Sequence, residues 1–376
     1  MSAKKYVFRI LWLLAPLLVA ACMPQPEVSV EILPRWEALF QKEDGWTGAD
    51  GAYSLALSDD QILWLFGDTW IGPIVGGRHE NATIVNNSIG IQRHKNPAEA
   101  LVEFYYGKTP DGKPAAFIQP ADGRGWFWIY HGIRTSEGLF LFLVQIIRTG
   151  GESDLGFDVI GNWLAHVSNP HDPPAQWHIE QHKIPWSRFS VSGDTLFGSA
   201  LLEDDGYIYI YGITEEIISG FPQKHMILAR VPESRLGDFD RWRFFDGSRW
   251  VPDFSNASRL IGQIANEYTV SFQSGLDKFV VVYSENGFSE NIVLRLAPEP
   301  YGPWDEPVIF YQCPEANWYE GIICYAAKGH PDISMTSDEL IVTYIANSMD
   351  FYQMAADARL YRPRFLRVSF GVQTEN

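Results

Sequence analysis

The chain has 376 residues, with 29 Lys and Arg against 46 Asp and Glu and a formal net charge of −17. So acidic a chain, with no basic stripe along it, is poorly suited to nucleic acid, whose recognition rests on cationic contacts to phosphate. No P-loop, dinucleotide fingerprint, Gly-x-Ser-x-Gly elbow or zinc-ligand spacing occurs, which leaves those enzyme classes without support.

In chain order, residues 1–21 read as a secretory signal. Lys4, Lys5 and Arg9 precede an apolar run over 10–19 that is short for a bilayer span. Val19-Ala20-Ala21-Cys22 sets small residues before a cysteine, the pattern of a lipobox whose Cys22 is lipidated and becomes the mature N-terminus. The other reading is an ordinary signal with an incidental cysteine. Residues 22–35, rich in Pro, are then a lipidated tether. The location this predicts is the bacterial cell envelope, on a periplasmic or extracellular face, with no aspartate after Cys22 to argue against an outer membrane. With Cys22 lipidated, Cys313 and Cys324 remain as a pair, either a disulfide permitted by export or two buried thiols.

Residues 45–72, GWTGADGAYSLALSDDQILWLFGDTWIG, hold two strand patterns, 53–57 and 62–66, joined by the turn-forming Ser58-Asp59-Asp60-Gln61. An antiparallel hairpin sets the start of one strand beside the end of the next. Asp50 and Asp68 should therefore meet at one sheet edge, near Trp46, Tyr53 and Trp70. Two carboxylates among aromatic rings suit a carbohydrate, and two turn-forming aspartates are the plainer reading.

The second strand of this hairpin recurs as LWLFG at 63–67, FLFLV at 140–144, IYIYG at 208–212, FVVVY at 279–283 and LIVTY at 340–344, each after a turn rich in Asp, Gly, Ser or Glu. The interval is roughly 60–77 residues, longer than the ~40–45 of a WD40 blade and enough for four strands with loops. Third strands fit 88–92, 163–168, 227–231 and 292–296. Fourth strands fit 101–106, 177–180, 242–245 and 308–311, and 365–370 fits an outer strand of the last unit. Five such units predict an all-β fold, a single five-bladed β-propeller filling 36–376 and expected to act as a monomer. The turns of a β-sandwich would come every ~8–12 residues.

In a propeller the first strand of each blade lines the central channel, so the residues just before each first strand converge on one face. These are Asp50, Asp122 within ADG, Asp194 within GDT, Asn266-Glu267, and GHPD at 329–332. Asp50, Asp68 and Glu267 are the catalytic candidates. Asn87, beside Asn86, and Asn347 could hold sugar hydroxyls or satisfy buried backbone groups between blades. His330 could bind substrate, sit over a channel ion or be a hydrogen-bonded structural histidine. Trp126 shares a strand face with Trp128, turned either to the channel or to the next blade. No metal and no other cofactor is expected.

GADGAYS, then LWLFGDTW, VNNSIGIQ, NEYTVSF, and GHPDIS with LIVTYIANS resemble bacterial domains of unknown function within the five-bladed propeller glycoside hydrolase superfamily. That superfamily includes arabinanases, β-xylosidases and β-fructosidases, and the FGDT branch is similar to secreted endo-D-arabinanases. The resemblance covers most of 44–370. It implies three carboxylates on the channel face, with Asp50 as base or nucleophile, Glu267 as acid, and Asp68 as the assisting residue in competition with Asp122. In arabinanases the acid lies on the third blade and the assisting Asp on the second, whereas Glu267 opens the fourth unit here. The implied function is a lipid-anchored glycoside hydrolase acting on an extracellular polysaccharide, arabinan-like or related. The alternative is a non-catalytic propeller lipoprotein that binds a glycan or a protein.

Overall fold

Short segments with apolar residues at every second position, bounded by Gly, Asp and Ser turns, fold as half-buried or buried strands. The computed structural model describes residues 27–149, 156–219 and 221–371, and in it these segments become five antiparallel sheets. The signal, Cys22 and the start of the tether lie outside the described residues. From channel to rim, blade one runs Trp46–Ser58, Gln61–Ile71, Ser88–Arg93 and Leu101–Tyr105. Blade two runs Trp126–Thr135, Gly138–Arg148, Phe157–Val167 and Ile179–Lys183. Blade three runs Thr195–Asp204, Tyr207–Ile218, Phe221–Pro232 and Arg243–Phe245. Blade four runs Tyr268–Gln273, Lys278–Ser284, Asn291–Ala297 and Val308–Gln312. Blade five has Ile322–His330, Glu339–Ser348 and Pro363–Gly371, and takes its rim strand, Glu27–Ile32, from the other end of the chain. Each inner strand touches the next, and the fifth returns to the first. The fold is the five-bladed β-propeller that the repeats predict.

Two elements differ from that prediction. Glu27–Ile32, which reads as tether, is instead the rim strand of blade five and pairs outside the strand that holds 365–370, from Glu27↔Gly371 to Ile32↔Leu366. EVSVEI does alternate, but prolines on both sides mask it. The pairing joins the two ends of the chain and covers a sheet edge that would otherwise be open. The fifth inner strand also runs into GHPD and ends at His330, instead of following that motif. Its centre, Ala-Ala-Lys-Gly, has low strand propensity, and a bulge breaks its alternation.

Between the blades, buried Asn87 donates to the carbonyls of Ile118 (2.9 Å) and Phe127 (2.8 Å) and accepts from the Ile118 amide. Asn162 makes the matching clamp onto Phe197. Phe40 sits at an aromatic junction under blades one and five, 4.9 Å from the Trp64 ring and 5.3 Å from that of Phe365. Cys313 and Cys324 form a disulfide that fastens the end of blade four to the inner strand of blade five. Closing so short a loop stabilises by roughly 3 kcal/mol.

Candidate functional site

Four of the five inner strands break register near their middle; that of blade four does not. A bulge adds a residue and re-aims the side chains around it. In blade one the bulge falls at Gly51 (φ 80°) and Ala52 (φ 56°), both in the left-handed region. It turns the Asp50 side chain toward the channel mouth and the Gly51 carbonyl toward blade five. In blade five it falls at Ala326 (φ 58°) and presents Tyr325 to Asp50 and Lys328 to Glu267. Glu267 needs no bulge, because it stands immediately before the first residue of the unbroken fourth strand.

Asp50 Oδ2 accepts hydrogen bonds from the hydroxyls of Tyr325 and Tyr361, each at 3.0 Å. Asp68 Oδ1 accepts from Trp128 Nε1 at 3.0 Å and from Asn86 Nδ2 at 3.2 Å. Glu267 Oε2 lies 2.5 Å from Lys328 Nζ, which is fully buried and also donates to the carbonyls of Gly51 (2.5 Å) and Ala326 (3.1 Å). All three carboxylates line one cavity of about 400 Å3, walled by Trp128, Tyr130, Tyr325 and Tyr361. Gly67 of the FGDT motif is there for space: a Cβ on it would stand 2.4 Å from Asp50 Oδ1.

Burial, and then the charges of Asp68 and Glu267, push the Asp50 carboxyl up to about 8 against the opposing tyrosine hydrogen bonds. Burial pushes Asp68 up to about 6, opposed by the hydrogen bonds from Trp128 and Asn86. Burial also pulls the Lys328 ammonium down, and Glu267 and Asp50 resist that pull. The cavity therefore holds carboxyls of unlike proton affinity, which acid–base chemistry at one pH requires.

Residues 34–370 match the family described as "Domain of unknown function (DUF5005)". The chain belongs to the DUF5005 family. A search of curated proteins finds no match to its sequence. Among solved structures it is similar to one from Bacteroides ovatus ATCC 8483 named "a putative hydrolase", at 20% identity over 91% of this chain and 90% of that one, with a TM-score of 0.72. Weaker likenesses include the catalytic domain of the Coprinopsis cinerea GH62 α-L-arabinofuranosidase, at 9% identity over 86% and 91%, TM-score 0.48. Another is the GH43_1 enzyme from Xanthomonas citri complexed with xylotriose, at 14% identity over 90% and 93%, TM-score 0.43. At 20% identity, the likeness of this DUF5005 chain to the Bacteroides ovatus structure is one of fold.

Of the residues singled out from the sequence, the DUF5005 cavity gathers Asp50, Asp68, Glu267 and Asn347, the last with its amide 3.5 Å from the Tyr325 hydroxyl. The others lie elsewhere. Asn87 is the inter-blade clamp, and its neighbour Asn86, in the same bend between Thr83–Val85 and Ser88–Arg93, reaches Asp68 instead. Trp126 lies outside the cavity in a separate groove with Asn86 and Pro120, and Trp128 supplies the aromatic wall. Trp46 and Trp70 are buried, stacked on Phe104 (4.2 Å) and His79 (4.4 Å). His330 ends the fifth inner strand instead of preceding it, so it is buried at the opposite end of the channel, 2.7 Å from both Ser54 Oγ and Thr343 Oγ1. Asp332, beside it, accepts from the Ala56 amide. Asp122 bonds outward to Gln145 and Lys183, which leaves Asp68 as the aspartate beside Asp50. Asp194 lies outside the cavity, held up to about 6 by burial and by Glu215 and Asp158.

A larger depression of about 740 Å3 opens at that opposite end, lined by Arg134 and the carboxylates Asp59, Glu203 and Asp332. The Asp332 carboxyl is pushed up by burial, opposed by the Ala56 amide and Lys95, with no neighbouring carboxylate raising it further, unlike Asp50. Sequence reasoning missed Lys328, Tyr325 and Tyr361. The available signal was a lone lysine inside the apolar run IICYAAK, since a lysine is almost never fully buried without a partner.

Proposed function

We propose that this DUF5005 chain is a glycoside hydrolase acting on an extracellular polysaccharide, arabinan-like or related, by carboxylate acid–base catalysis. The observation that carries the reading is the convergence of Asp50, Asp68 and Glu267 in one aromatic-walled cavity. Their surroundings support roles exchanged from those implied by the resemblance. Asp50, with a raised proton affinity, is the general acid that protonates the leaving glycosidic oxygen as the C–O bond breaks. Glu267, ion-paired to Lys328, supplies the negative charge toward the anomeric carbon, as base on water or as nucleophile. Asp68 keeps the Asp50 proton in place through its own charge. Trp128 and the tyrosines offer faces on which a sugar ring stacks. Asp50 must hold its proton, so activity falls as pH rises through about 8.

The chain is further proposed to be an exported lipoprotein anchored through Cys22. The basic, apolar, small-residue order ending at that cysteine supports this, as does a disulfide that suits an oxidising compartment.

The test is a screen of arabinans, xylans, fructans and 4-nitrophenyl glycosides with wild type, Asp50→Asn and Glu267→Gln. Each variant should lose about 10²–10⁴-fold in kcat on a cognate polysaccharide. Asp50→Asn should regain much of its rate on 4-nitrophenyl glycosides, whose leaving group needs little protonation; Glu267→Gln should not. Rescue of the opposite variant would restore the roles implied by the resemblance. Tight glycan binding by wild type without cleavage would turn the reading to a binding propeller.

A further inference from the structure

Lys328 has no place in the carboxylate set that the sequence suggests, yet no other fully buried ammonium lies among the described residues. Its amine is enclosed by three oxygens, from Glu267, Gly51 and Ala326, and lies 4.3 Å from the Tyr53 ring centroid. Burying an ammonium this way is costly unless it stays paired. Two separate bulges serve the arrangement, one aiming the Gly51 carbonyl and one aiming Lys328 itself. The lysine thus bridges blades one, four and five at the point where Asp50 and Glu267 approach.

We propose that Lys328 is a positioning residue for the reaction: by pairing with Glu267 it fixes Glu267 as the charged carboxylate and leaves the shared proton on Asp50. The assignment of the two roles is then a property of one lysine on blade five, apart from the blades that carry Asp50 and Glu267. This rests on the hydrolase reading for its catalytic consequence, but the charge arrangement itself does not.

The charged and titratable groups around Lys328 come from every neighbouring inner strand. Blade one contributes Asp50 and Tyr53, blade two Tyr130 and His131, blade four Glu267 and Tyr268, and its own strand Tyr325 and His330. Burial depresses both histidines and raises the tyrosines, so these stay neutral near pH 7. The cavity's other lysine, Lys224, is paired with Glu215 at 3.8 Å, so the balance is struck between Lys328 and the carboxylates Asp50, Asp68 and Glu267.

The experiment uses the mature chain and two readouts. The first needs no substrate: infrared difference spectra across a pH titration, with 13C-aspartate or 13C-glutamate labelling. In wild type at pH 7 the protonated-carboxyl band should shift with aspartate labelling and vanish in Asp50→Asn. In Lys328→Met a glutamate-derived protonated band should appear, and Lys328→Met/Glu267→Gln should remove it. The second readout is the pH profile of kcat/KM on whichever glycan or 4-nitrophenyl glycoside wild type cleaves. Lys328→Met should lower kcat by about 10²-fold and move the acid limb toward alkaline pH, and Lys328→Arg should recover much of both. If Lys328→Met fails to fold, Lys328→Gln, which removes the charge but keeps a donor for the Gly51 and Ala326 carbonyls, carries the infrared comparison, with the same glutamate-derived band expected and its absence overturning the proposal. No glutamate-derived band in Lys328→Met, or an unmoved acid limb, overturns the proposal even if wild type is active. The expected bands in a wild type that cleaves nothing would support the charge assignment and refute the hydrolase reading alone.

Discussion

Replacing Asp50 by Asn should change how stability depends on pH, in a direction opposite to that of an ordinary surface carboxylate. The Asp50 carboxyl moves from 3.8 to about 8 on folding, so the folded chain binds this proton more tightly than the unfolded chain. The stability it contributes is fully present below about pH 4 and is lost as pH rises through about 8. At about 1.4 kcal/mol for each tenfold change in proton affinity, the ceiling is on the order of 5 kcal/mol. That is a large part of the stability of a typical domain. Asp68, raised to about 6, adds a smaller term of the same sign. Carboxylates with depressed affinity, such as Asp357 beside Arg359, act the other way at acid pH, so the informative quantity is the difference between variant and wild type. Denaturant unfolding at intervals from pH 4 to 9 should show Asp50→Asn gaining several kcal/mol over wild type with rising pH, then levelling above about pH 8. The lost hydrogen bonds to Tyr325 and Tyr361 add only a pH-independent offset. A difference that stays flat across the range would refute the argument that burial and neighbouring negative charge hold the proton on Asp50.

Gly67→Ala would set a methyl against Asp50 Oδ1 without forcing a left-handed backbone. It should cut kcat by roughly 10²-fold by misplacing the carboxyl while shifting the thermal midpoint only a few degrees, as steady-state kinetics and calorimetry on the same sample would show. Cys22→Ser should leave the precursor unprocessed or release the chain from the membrane; unchanged partitioning into detergent of a processed Cys22→Ser chain would refute the lipoprotein proposal.

Most of the ring was legible because the second strands of the blades are apolar on both faces and recur at blade intervals. Such runs announce buried strands whatever surrounds them. What stayed hidden depended on local geometry. Glu27–Ile32 became a strand only because the last strand of the chain came to lie beside it, a partnership between distant segments that alternation alone does not reveal. Asn86 and Asn87 lie in the bend between Thr83–Val85 and Ser88–Arg93, where no alternation says which of them reaches the site. Trp126 and Trp128 share one strand face, and only how far along that strand the cavity extends separates them.

The rule that residues just before each first strand converge found Asp50 and Glu267 for two different physical reasons. Glu267 does precede an inner strand, and that strand is the unbroken one. Asp50 lies within Trp46–Ser58, but the bulge at Gly51 and Ala52 interrupts alternation there, so the visible pattern begins only at Tyr53 and Asp50 reads as standing before it. In blade five the same kind of break hid the strand altogether. The visible pattern resumed beyond His330, which misplaced His330 and Asp332 to the wrong end of the channel and left Lys328 unread. The irregularities that obscure the repeat are therefore the ones that build the site. A regular strand would point successive side chains alternately to its two faces, and only the added residues turn Asp50, the Gly51 carbonyl, Tyr325 and Lys328 toward one another.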